Sequence, residues 1–151
     1  YALAGYGLYF LCYIVVVVVV KQLIPSIDFE QKQEIGFDDV SRLHLPLVFI
    51  SLVVLPPIIE EITVRGFLYS GLKQRLTKPM AALVASVVFA AAHLQAGSSA
   101  PLLWIAAIDT FILSLVLIKL RETTGRLWSP IMLHAFKNGI AFASIFIFHL
   151  A

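Results

Sequence analysis

The chain has 151 residues, of which 60% are hydrophobic and only 13% charged, with a mean hydropathy of +0.95. A single soluble domain of this length has too little interior to hide so much apolar side chain, so the composition excludes an ordinary water-soluble globule and calls for lipid around the outer surface. The formal net charge of +2 suggests no nucleic-acid partner, and the single cysteine, Cys12, excludes an intrachain disulfide.

Apolar stretches follow one another at 1–20, 45–72, 80–96, 101–118 and 127–151. The first ends in the valine run Val15–Val20 and lacks the basic start and small-residue cleavage site of a signal peptide, so it reads as a retained transmembrane helix. Valine favours strands in water, but in lipid the backbone must satisfy its own polar groups, and a helix does so within one segment. The continuous apolar runs are unlike the short alternating segments of a membrane barrel. The fold class expected is all-α: a polytopic membrane protein with about five embedded helices around a buried polar site. The second stretch is interrupted by Pro56-Pro57, which suits a helix that restarts there. The third and fourth stretches are short for a span, and Gly97-Ser98-Ser99 between them reads as the hinge of a tight helical hairpin.

Loop charge supplies an orientation. Residues 21–42 carry Asp28, Glu30, Glu34, Asp38 and Asp39 against Lys21, Lys32 and Arg42, a net acidic segment. The loop after the second stretch carries Lys73, Arg75 and Lys78, and the loop after the fourth carries Lys119, Arg121 and Arg126 against Glu122. Two helices separate these basic loops, so both fall on one face, which the positive-inside rule makes cytoplasmic. The chain divides into 1–44, a transmembrane helix with an acidic extracytoplasmic linker, and 45–151, the core. Trp104 and Trp128 fall near opposite membrane boundaries, as aromatic anchors do, and His44 and His149 sit near helix ends.

Ionisable side chains within these stretches are costly to insert, by about 2.5–3.5 kcal/mol each, and mark a functional site by default. They are Glu60, Glu61, Arg65, His93, Asp109 and His134. At about 100° per residue, Glu61 and Arg65 share a helix face and can neutralise each other, while Glu60 points away and is left as a free carboxylate. Phe89 and His93 share a face one turn apart, as do His134 and Asn138. Taken singly, each is accounted for by an ion pair or a hydrogen bond between helices. Together they assemble a carboxylate base, two imidazoles and an amide, the groups needed to hydrolyse an amide bond. Glu60, His93 and His134 would equally supply three ligands for a divalent metal such as zinc, with an open fourth position. Asp109 has no partner assigned by spacing; a hydrogen bond to Thr110, Ser114 or another helix accounts for it, as does a role orienting a histidine.

These patterns resemble a known family. Glu-Glu-x-x-x-Arg at Glu60–Arg65 followed by Gly66, Phe-x-x-x-His at Phe89–His93 and His-x-x-x-Asn at His134–Asn138 are similar, in order, to the three motifs of the CPBP (Abi, CAAX protease-like) intramembrane proteases, relatives of the Ras-converting CAAX endopeptidase. The stretch Thr124-Gly125-Arg126-Leu127-Trp128-Ser129-Pro130-Ile131 is similar to the lead-in of the last motif, and the likeness covers about residues 45–142. The resemblance implies a helical membrane core in which Glu60 activates water with help from His93, and His134 and Asn138 stabilise the oxyanion. It implies that Glu61 and Arg65 support the site, and it leaves open whether a metal takes part. Ser114 and Ile118 stand where the family often has glycines, and Asp109 lies outside the usual motifs. The implied partners are membrane lipid and a peptide or membrane-protein substrate, in peptide or protein maturation or bacteriocin self-immunity. Rival readings are a small transporter or proton pathway, a haem protein with His93 and His134 as axial ligands, and a non-catalytic immunity or scaffold protein of the same fold. The chain shows no inverted repeat of the kind transporters carry.

Overall fold

A computed structural model describes residues 1–27, 37, 41–94 and 102–149. Most of the acidic segment and the Gly97-Ser98-Ser99 hinge lie outside the described residues. Secondary structure among the described residues is entirely helical, in five elements: α1 (Ala2–Leu23), α2 (Arg42–Leu72), α3 (Lys78–Ala91), α4 (Trp104–Thr124) and α5 (Trp128–Ile147). Three of these, α1, α2 and α5, are long and apolar enough to cross a membrane, and α3 is a shorter apolar helix. The protein is an integral membrane protein of the all-α class. Large apolar side chains face outward along all the helices, among them Leu3, Leu11, Leu47, Ile59, Val87, Leu115 and Met132. In water such a surface would aggregate; against acyl chains it is matched.

Two local features differ from expectation, and both have a physical cause. The chain does not restart at Pro56-Pro57. Arg42–Leu72 is one long helix in which the prolines open an α-helical segment, Leu55–Glu60, set between two π-helical stretches, Ile50–Val54 and Glu61–Leu68. The helix winds through the prolines by widening to π turns on either side of them, with Leu55 N–H donating to Ile50 O. Secondly, α4 runs beyond the apolar stretch through the helix formers Lys119, Leu120, Arg121 and Glu122 to Thr124, and stops where Gly125 adopts the left-handed conformation (φ 67°).

Helix α3 packs most extensively on α4, and α1 lies against α4 and α5. The α3 face turned inward is made of small residues, Ala81, Ala85 and Ser86, all fully buried, which lets the helix backbones approach closely. Gly5 does the same for α1: a Cβ there would stand 2.6 Å from Leu133 Cδ1 and 3.0 Å from Leu120 Cδ1. One cluster of Tyr9, Leu113, Leu117, Leu120 and Leu133 thereby joins α1, α4 and α5.

At the basic end, beyond the apolar part of α4, Glu122 accepts from Lys73 at 2.5 Å and pairs with Lys78 at 3.0 Å, clamping the turn between α2 and α3 to α4. Hydrogen bonds from Lys73 and Lys78 hold its carboxyl down at about 2, against an ordinary 4.5. A depressed carboxyl pKa stabilises the fold fully above the ordinary value and ceases to do so as the pH falls through the depressed one. The melting-temperature gap between wild type and Glu122→Gln should therefore stay constant from about pH 8 to about pH 5 and close below that, as thermal melts across a pH series would show. The gap itself should be small, because a partly exposed ion pair contributes about 1 kcal/mol or less.

Candidate active site

The polar motifs meet in one cavity of about 270 Å³, lined by Leu52, Pro56 and Glu60 from α2, His93 beyond α3, Asp109 from α4, and His134, Lys137 and Asn138 from α5. The adjacent glutamates of α2 diverge. Glu61 is fully buried and absent from the cavity wall, whereas the Glu60 side chain keeps 30% of its surface accessible and faces the cavity. This is the division that the helical angles require.

Glu61 Oε1 accepts from Arg65 Nη1 at 2.8 Å and from His134 Nδ1 at 2.9 Å. Both Glu61 and Arg65 are 0% exposed, so the ion pair is dry, and Arg65 is further held with its guanidinium 4.5 Å from the centre of the Phe89 ring. Phe89 in turn packs on the His93 ring at 4.6 Å, tilted by 60°, and meets the His134 ring edge to face at 6.1 Å. The Phe of the second motif is thus the platform on which side chains of all three motifs are assembled. Sequence spacing showed only that it shares a face with His93.

The proton on Nδ1 of both histidines follows from the partner there. His93 Nδ1 lies 2.8 Å from the Phe89 carbonyl, which can only accept, so Nδ1 carries a proton and donates it there. His93 sits in the turn after α3, because that helix ends at Ala91, short of the expected Ala96. His134 Nδ1 donates to the Glu61 carboxylate, and its Nε2 is 3.8 Å from Glu60 Oε2. That separation exceeds a hydrogen bond. Glu60 Oε2 has no hydrogen-bond partner among the described residues. A carboxylate oxygen without a partner, beside two imidazoles in a cavity, is placed to take a proton from water.

Asn138 Nδ2 donates to the Leu52 carbonyl at 3.0 Å. Asp109 bonds neither histidine: Lys137 Nζ donates to its Oδ2 at 2.6 Å and the Tyr9 hydroxyl donates to its Oδ1. Lys137 also stands 5.7 Å above the Tyr9 ring. Sequence reasoning gave Tyr9 and Lys137 no role. The signal for Lys137 was present, since Asp109 and Lys137 are opposite charges, each set within a separate apolar helix; Tyr9 gave none. Among the described residues no three His, Cys, Asp or Glu side chains are grouped as a ready-made metal site.

Residues 42–140 match the family model described as Type II CAAX prenyl endopeptidase Rce1-like. The chain belongs to this family. The match spans most of the chain, from the start of α2 through most of α5, and contains all three polar motifs; α1 lies outside it. No curated protein and no solved structure matches the chain. Membership of the Rce1-like family makes the chain a member of a CAAX-type intramembrane protease family, in agreement with its apolar helices.

Proposed function

We propose that the chain is an intramembrane endopeptidase in which Glu60 activates a water molecule for attack on a peptide carbonyl. The observation that carries this reading is the Glu60 carboxylate, free of any hydrogen bond on Oε2 and facing the cavity that also receives His93 and His134. Glu60 takes a proton from the water as the oxygen adds to the scissile carbon. Nε2 of His93, the ring nitrogen that Phe89 does not engage, is the second group able to hold that water. Glu61 holds the His134 ring at Nδ1, and a proton on its Nε2 would make that nitrogen the donor to the developing oxyanion. Glu61 and Arg65 act through His134 and through the packing of Phe89, not on substrate. Collapse of the tetrahedral intermediate breaks the C–N bond, and the proton held by Glu60 passes to the leaving amine.

The family's description as a CAAX prenyl endopeptidase makes prenylated CAAX peptides the first substrates to try. The purified chain in liposomes, given a farnesylated CAAX peptide, should release the terminal tripeptide, detected by mass spectrometry. An inert protein, tested across prenyl lengths and terminal sequences, would instead favour a non-catalytic member of the fold.

A further inference from the structure

Pro56 and Pro57 remove both helical donors from one carbonyl. In an α turn Leu52 O would accept from residue 56, and in a π turn from residue 57; both are prolines without an N–H. Leu55 N–H does not stand in, because it donates to Ile50 O at the end of the π stretch. The backbone of α2 therefore carries a carbonyl that its own sequence cannot satisfy, in a setting where an unpaired backbone group is costly.

Asn138 supplies the missing donor from another helix, with Nδ2 at 3.0 Å from Leu52 O. Since a carbonyl only accepts, the amide must present its NH₂ there, and its orientation is fixed. The helices run close at this level: a Cβ on Gly139 would touch Val53 Cγ1 at 3.7 Å. Glu60 stands about two turns along α2 from Leu52.

We infer that Asn138 is a positioning residue, pinning the proline segment of α2 to α5 through the Leu52 carbonyl and so setting where the Glu60 carboxylate stands against His134. The effect on turnover rests on Glu60 being the base; the structural link does not. It also differs from a purely oxyanion-binding role, because an amide N–H is committed to the main chain before substrate arrives.

The test is a double-mutant cycle between Asn138 and the prolines, read in detergent by thermal melting and in liposomes by cleavage of a farnesylated CAAX peptide. Asn138→Ala should lower the melting temperature by about 3–8 °C, the cost of one orphaned, part-buried carbonyl, and reduce turnover with it. Asn138→Asp, which cannot donate when ionised, should be at least as damaging. In a Pro56→Ala/Pro57→Ala background a backbone N–H returns to Leu52 O in either register. There the Asn138→Ala penalty should fall to less than half, in stability and in turnover alike. If the double proline variant does not fold, each single proline variant restores one of the two donors, and one of them should show the same relief. A melting temperature unmoved by Asn138→Ala, or an equal penalty in every background, would overturn the inference. The melting cycle needs no substrate, so it stands apart from the reading of Glu60, which fails only if Glu60→Gln retains turnover.

Discussion

Glu60→Gln should abolish peptide cleavage and leave the protein folded. Glutamine keeps the shape of the side chain and removes only its ability to take a proton. Loss of a positioned general base costs about 10²–10⁴-fold in rate. Little stability should go with it. The Glu60 side chain is 30% exposed, and its distance to His134 Nε2, 3.8 Å, is too long for a hydrogen bond that the substitution would break. Its effect on folding should resemble that of a surface change, within about 0.5 kcal/mol. Initial rates in liposomes, normalised to folded protein, check this directly.

The neighbouring substitution should do the reverse. Glu61→Gln leaves Arg65 charged, fully buried and without its carboxylate, and it removes the charge that meets His134 Nδ1. Breaking a buried ion pair by removing one partner costs about 3–5 kcal/mol, because the other charge stays desolvated. For a chain of this size that corresponds to a fall in melting temperature of about 10 °C or more. Pairing Glu61→Gln with Arg65→Met removes the orphaned charge and should recover much of the loss, whereas a catalytic role for Glu61 would leave the double variant as inactive as the single one but stable from the outset. Activity lost in Glu61→Gln should track the unfolded fraction and the freed His134 ring.

Much of this arrangement is legible in the residues themselves. Apolar length and loop spacing give the helices, because lipid removes the choice between helix and strand. The 40° and 140° separations expected of an α-helix sort Glu61 from Glu60, and the side chains divide in that way even though Glu61–Leu68 is wound as a π-helix. What stays hidden is whatever depends on contact between distant segments. Pro56-Pro57 reads as a helix start because the rule for proline is local, while the compensation is non-local: Asn138, far along the chain, satisfies the carbonyl that the prolines orphan. The Tyr9 bond to Asp109 joins residues of α1 and α4 and has no spacing rule behind it. The role of Phe89 is likewise invisible in sequence, since its ring is defined by Arg65 from α2 and His134 from α5. Helix depth is the remaining case. Counting along straight helices puts His93 deeper than His134, whereas α3 ends at Ala91 and delivers His93 from the following turn to the same cavity.

The measurement that bears most directly on the central claim is a crossed readout of the two glutamate variants, taking cleavage rate and melting temperature from the same preparations. The predicted result is that Glu60→Gln melts with wild type and cleaves at least about 100-fold more slowly, while Glu61→Gln melts about 10 °C or more lower. An active Glu60→Gln beside a stable but inactive Glu61→Gln would reverse the roles and contradict the account.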